Sequence, residues 1–193
     1  IIYVDRWAVG FKDSEEIVLS EQTRLEFAEG TVGVADAAFY SWSKGANGDL
    51  IFPYDVIEEL RFNNDGEFRH IGALSFAYLH NLVNLNLYSG IKTIGGSAFT
   101  SCTNLTTARF ANTLEYIGNY AFYGCTKLGT GSVPTTGTFA GEPAISVPAS
   151  VTTIGIKAFD DTRATMSTSG IRYVGNKNNA YLWAVGTKPA NQN

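Results

Sequence analysis

Apolar residues in this chain recur as a phrase. At 94–102 the sequence reads IGGSAFTSC and at 117–125 it reads IGNYAFYGC. Looser copies open at Ile71 (IGALSFAYL), Ile154 (IGIKAFDDT) and Val34 (VADAAFYSW), so successive copies from Val34 are offset by 37, 23, 23 and 37 residues. A second pattern precedes the phrase. Nine and seven positions upstream lie Leu25 and Phe27, Leu85 and Leu87, Ala108 and Phe110, and Ile145 and Val147, each pair flanking one intervening residue. Apolar-x-apolar alternation predicts a short half-buried strand. Each unit is therefore expected to be a strand, a turn, an Ile or Val anchor, and a compact segment ending in Phe.

The residue types within the phrase fit a stack of such units. Gly95, Gly118 and Gly155 lack a Cβ and suit a corner that needs either positive φ or close approach of a neighbouring unit. Ala98, Ala121 and Ala158 are small enough for crowded backbone, while Phe39, Phe76, Phe99, Phe122 and Phe159 supply one large apolar group per layer. Stacked, the five rings are predicted to form a ladder. One unit cannot bury its apolar face alone, whereas neighbours in a stack can do so for one another.

The phrase IGxxAFxxC together with ISVPASVTTIG at 145–155 resembles the BspA-like leucine-rich repeats. The lead-in IIYVDRWAVGFK and the closing YVGNKNNAYLW at 173–183 are similar to segments that flank such repeats. Departures are the replacement of the cysteine by Trp42, Leu79 and Thr162, the Leu74-Ser75 break in the AF pair, and the two long intervals. The resemblance implies an α/β repeat solenoid, a right-handed superhelix with short parallel strands and about five to six coils. It also implies a surface-exposed or secreted binding or adhesion module, without naming a ligand. The chain is read as one domain, with an N-terminal cap over 1–20, repeats over 21–165, a C-terminal cap over 166–185 and a tail over 186–193.

Composition narrows the partners. Among 193 residues, 14 Lys and Arg stand against 18 Asp and Glu, for a formal charge of -4. With no basic run, nucleic acid and anionic membrane are poor partners, and no apolar stretch has the roughly 20 residues of a membrane span. The opening residues lack the basic start and cleavage site of a signal peptide, and a chain starting at Ile1 reads as a processed product or part of a longer one.

The candidate chemistries each have a plain structural reading. Cys102 and Cys125 occupy equivalent positions of adjacent units, so a disulfide is sterically conceivable, but the apolar residues in the same slot elsewhere favour two buried free thiols. They lack further ligands for a metal. His70 and His80 have no nucleophile and orienting acid arranged with them, and neither GxSxG nor HExxH is present, so no catalysis is expected. The stretch NNDGE at 63–67 lacks the ligand spacing of a calcium loop and reads as a turn, as does Asp160-Asp161. Asn104-Leu105-Thr106 fits a glycosylation sequon that matters only in a eukaryotic secretory pathway. No cofactor is implied.

Recognition is expected at the outward strand positions and where the period breaks. The outward strand residues are Glu26, Arg61, Asn86, Arg109 and Ser146, with Asn84 and Thr107 beside them. Tyr88 and Tyr123 are the exposed aromatics that a carbohydrate site would use. The Gly-, Thr- and Pro-rich stretch 129–143 is expected to leave the coil as a loop with Phe139 near its tip. Whether 50–53 (LIFP) or 60–62 (LRF) forms the strand of the second unit is open. Residues 1–11, and Ile171–Val174 with Tyr181–Val185, suit hairpins that cover the ends, with Trp7 and Trp183 as lids on the core. Three functions follow as expectations: a module binding protein or glycan on a host or neighbouring cell, a structural spacer within a larger surface protein, or a carbohydrate-binding module.

Overall fold

The computed structural model describes residues 1–11, 23–40, 43–44, 47–48, 50–51, 53–63, 65–87, 90–132, 135, 144–164, 166–168, 171–175 and 182–187. Along the chain the strands are β1 (Ile2–Val4), β2 (Trp7–Gly10), β3 (Arg24–Glu26), β4 (Gly33–Val34), β5 (Ser43–Lys44), β6 (Leu50–Ile51), β7 (Glu59–Arg61), β8 (His70–Ile71) and β9 (Asn84–Leu87). They continue with β10 (Thr93–Ile94), β11 (Thr107–Phe110), β12 (Tyr116–Ile117), β13 (Ile145–Ser146), β14 (Thr153–Ile154), β15 (Met166–Thr168), β16 (Ile171–Gly175) and β17 (Leu182–Thr187).

The predicted anchors build one long sheet in the order β1-β2-β4-β8-β10-β12-β14. From β2 onward every pairing in it is parallel, and Val34, Ile71, Ile94, Ile117 and Ile154 align in register. The upstream apolar-x-apolar segments form two further parallel groups, β3-β7 and β9-β11-β13, with Leu25 opposite Leu60 and with Leu85, Ala108 and Ile145 in one row. The strand of the second unit is therefore Glu59–Arg61. The competing segment at 50–51 instead pairs antiparallel with Ser43–Lys44. Downstream of it, the 3-10 turn Pro53–Val56 inserts Tyr54 beside Phe11 and Phe39, with ring centroids 5.8 and 6.2 Å apart.

The five phenylalanines form the predicted ladder. Phe39, Phe76, Phe99, Phe122 and Phe159 are each fully buried, and successive ring centroids are 5.5, 5.4, 5.3 and 5.3 Å apart with planes within 20° of parallel. A shorter aromatic cluster joins it where Phe27 stacks on Phe62 at 5.3 Å and meets Phe39 edge-on. Ser75, standing where other units have Ala, is buried but donates its hydroxyl to the Gly72 carbonyl at 2.9 Å, which removes the cost of the buried polar group.

The helical half of the expected α/β class is not formed: among the described residues there is no α-helix. The reason lies in the phrase itself. Three residues after each anchor, Ala37, Leu74, Ser97, Tyr120 and Lys157 hold φ between 53° and 58°, a left-handed conformation that a right-handed helix excludes. The N–H groups of the first four point to the next unit instead of back along the chain. Ala37, Leu74, Ser97 and Tyr120 donate to the carbonyls of Ala73, Gly96, Asn119 and Ile156 at 2.7–2.9 Å. Phe39, Phe76, Phe99 and Phe122 donate in the same way to Ser75, Ala98, Ala121 and Ala158.

The corner glycines serve the other purpose foreseen for them. A Cβ on Gly95 or on Gly118 would sit 2.5 Å from the backbone nitrogen of Ala73 or Gly96 in the preceding unit. Close approach, and not positive φ, is what excludes a side chain at both.

Hairpins are present near both ends: β1 pairs antiparallel with β2, and β15, β16 and β17 form an antiparallel sheet. Trp7 is not the core lid expected of it. Its neighbour Ala8 points inward and Trp7 lies on the outer face of the long sheet, 36% exposed. The side chain of Trp183 lies outside the described residues.

Candidate functional site

The outward positions of the short sheets follow from which residues point inward. On β3 and β7, Leu25 and Leu60 are buried, so Arg24, Glu26, Glu59 and Arg61 face outward. Glu59 lies between two guanidinium groups, 2.8 Å from Arg61 Nε and 2.7 Å from Arg24 Nε. Hydrogen bonds from Arg61 and then Arg24 hold its carboxyl below the usual glutamate range. On β9 and β11, Asn84 lies opposite Thr107, whose hydroxyl donates to Asn84 Oδ1 at 2.7 Å, and Asn86 lies opposite Arg109.

Two of the sequence-predicted residues are not presented to solvent. Thr107 and Arg109 are buried, Arg109 to 7% exposure. The cover is the chain leaving the fourth unit. Gly129 and Gly131 both donate their N–H to the Thr106 carbonyl, at 2.9 and 3.2 Å, and Arg109 Nη2 donates to the Ser132 carbonyl at 3.0 Å. Gly131 packs so closely on the Thr107 methyl that a Cβ there would collide with it. The start of the predicted loop therefore lies over the strand face. Most of 133–143, including Phe139, lies outside the described residues, as do Tyr88 and the side chain of Ser146.

Four predicted residues do come together. Between β7 and β9 no backbone ladder forms among the described residues, and the break coincides with a change of count. Leu60 to Leu85 is 25 residues, whereas Ile71 to Ile94 in the long sheet is 23. A groove of about 760 Å³ opens there. Glu26, Arg61, Asn84 and Asn86 line it, over a floor that includes Leu60 and Phe62. Glu58, Glu59, Asn63 and Val83 complete the wall and were missed by sequence reasoning. For Glu59 the signal was available: it sits two residues before Arg61, on the same face of a strand, once that strand is fixed.

The other candidate chemistries have structural explanations. Cys102 and Cys125 are buried free thiols that donate to the carbonyls of Phe76 and Phe99 at 3.3 and 3.0 Å. Burial, reinforced by the neighbouring Cys125, pushes the Cys102 thiol well above its ordinary value. His80 sits 3.1 Å from Asp55, which also accepts the His80 backbone N–H. His70, ten residues before His80, lies on the long sheet with Nδ1 2.9 Å from Thr93 Oγ1. Asp65 of the NNDGE stretch accepts the backbone N–H of Gly30 and of Glu67, which lowers its pKa, and so acts as a turn anchor. Among the described residues no group of three or more His, Cys, Asp or Glu is placed to hold a metal.

These features define a repeat protein whose parallel strands are joined unit to unit and whose polar face carries a groove at a break in the period. A family model for the BspA type leucine-rich repeat region matches residues 48–162 with six copies, and the chain belongs to that family. Among solved structures it is similar to a leucine-rich repeat protein of T. pallidum, at 24% identity and a TM-score of 0.55, covering 74% of this chain and 56% of that one. A leucine-rich cell surface protein of Faecalibacterium prausnitzii A2-165 matches at 16% identity and a TM-score of 0.43, covering 84% of this chain and 45% of that one. The chain thus spans about half the length of each. No curated protein matches it.

Proposed function

We propose that this chain is a non-catalytic binding module, secreted or displayed at a cell surface, that recognises a macromolecule of a host or neighbouring cell through the groove between β7 and β9. The observation that carries the reading is the convergence of Glu26, Arg61, Asn84 and Asn86 on one recess. Their side chains take little part in the core, so the recess can vary in sequence without loss of the fold. Membership of the repeat family supports the surface setting. In this reading the units wind as a right-handed solenoid of five to six coils within a single domain, and the hairpins near the two ends cover its apolar cross-sections. Among the described residues no helix is long and apolar enough to cross a membrane.

The test is an array of extracellular-matrix proteins and cell-surface glycoproteins probed with the purified chain. The triple substitution Glu26→Ala, Arg61→Ala and Asn84→Asp, the last keeping the acceptor of the buried Thr107 hydroxyl, should abolish the captured signal while the melting temperature stays nearly constant. A chain that only spaces other domains would capture nothing. Capture undiminished by the triple substitution would place recognition elsewhere.

A further inference from the structure

A second recess lies on the long sheet, away from the short-strand groove. Because Ala8, Val34, Ile71, Ile94 and Ile117 point inward, the residue before each of them faces out. The outward file is Trp7, Gly33, His70, Thr93 and Tyr116. Gly33 gives the file its shape. A Cβ there would lie 2.7 Å from Trp7 Cζ3, so the indole lies across the glycine and reaches the His70 ring, centroids 5.7 Å apart and planes 11° from parallel. Thr93 holds the imidazole from the other side through Nδ1. Tyr116 stands one strand beyond Thr93 and is 41% exposed.

These side chains line a shallow recess of about 630 Å³ whose floor is backbone at Gly72, Gly95 and Gly96. Among the described residues its lining includes the carboxylate of Asp36, whose Oδ1 accepts the Ala73 N–H at 2.6 Å. We infer that the recess binds a neutral oligosaccharide. A pyranose ring offers an apolar C–H face to aromatic rings and hydroxyl donors to acceptors, here the Asp36 carboxylate and the Thr93 hydroxyl. Anionic glycans would meet a carboxylate and, among the described residues, no Lys or Arg in the lining. An apolar peptide side chain would want an enclosed pocket, and this floor is open backbone that a flat ring can approach. From His70 to Tyr116 the file crosses two strand spacings, about 9.5 Å, so a short sugar chain can engage both aromatic positions. The inference does not rest on the strand-face reading.

The experiment is titration calorimetry of the whole chain with cellotetraose, N-acetylchitotetraose and mannotetraose, and with a heparin tetrasaccharide as the anionic control. At least one neutral tetrasaccharide should bind, and Trp7→Ala and Tyr116→Ala should each weaken it by about tenfold or more, the loss of one stacking contact. Thr93→Val, which leaves the core untouched, gives the same reading should Trp7→Ala fail to fold. Lys127→Ala, an exposed position in neither recess, should leave the affinity unchanged. The inference is overturned if no neutral tetrasaccharide binds at millimolar concentration, if binding survives both Tyr116→Ala and Thr93→Val, or if the heparin fragment competes at the same site.

Discussion

Gly95 and Ser97 are two residues apart and impose opposite demands. Gly95 has an ordinary φ but no room for a Cβ, whereas Ser97 carries a Cβ at φ 54°. Gly95→Ala should therefore cost about 1–3 kcal/mol by overpacking, while Ser97→Gly should be neutral or slightly stabilising, since it relieves a left-handed conformation worth about 1 kcal/mol. Urea denaturation of the two variants checks both signs. Arg61 and Arg109 part company in the same way. Arg109→Ala removes a buried, hydrogen-bonded group and should lower stability by about 1–3 kcal/mol, against roughly 0.5 kcal/mol or less for the exposed Arg61→Ala. At Cys102 the raised pKa sets a pH dependence. The folded thiol stays protonated while the unfolded one ionises near pH 8.5, so the contribution to stability is complete below that pH and declines above it. Cys102→Ala should flatten the decline between about pH 8.5 and 10. Thiol reagent should find both cysteines unreactive until the chain is denatured.

The phenylalanine ladder is the element on which the units depend. Phe99 and Phe122 each stack between two other rungs, so truncation of either to Ala should cost about 3–5 kcal/mol through lost burial and the cavity left behind. A melting temperature unmoved by Phe99→Ala would contradict that role. This ladder was legible in the sequence because one large residue recurs at one place in each copy, and so was the strand register, down to the opposition of Asn86 and Arg109. What escaped depends on contacts between distant segments. The burial of Thr107 and Arg109 depends on contacts from residues 129–132, where Gly129 repeats the bond of Thr106 to the preceding unit and the chain then packs on Thr107 and Arg109. The position of Trp7 depends on Gly33, a glycine of the degenerate first copy that leaves outer-face space for an indole. The groove could have been anticipated from the count of 25 between Leu60 and Leu85, but only after the strand at 59–61 was preferred to the apolar run at 50–53. The absence of helix was hidden because the left-handed positions carry Ala, Leu, Ser, Tyr and Lys, residues that give no sign of it.

Across the molecule, cohesion comes from layers that resemble one another, and the apolar residues that recur in register from copy to copy go into that packing. Sequence can then vary at the two outer faces, one carrying the polar groove and the other the aromatic file. The hydrogen bonds between units have a direction as well as a number. The N–H groups of the phrase donate to the next unit, while those beside the parallel strands, such as Gly72, Gly95 and Gly118, donate to the preceding one, and both sets run along the stack. A load drawn between the first and last units therefore acts along those bonds and opens one layer before the following one bears it. A load drawn across the layers would set many of them in shear together. Held between two tethers at Ile1 and Thr187, the protein should lengthen in small steps at low tension, each releasing about one unit, and an optical trap that records a single abrupt rupture would contradict this. A surface carrying such a chain would have a yielding linkage that absorbs tension by paying out length.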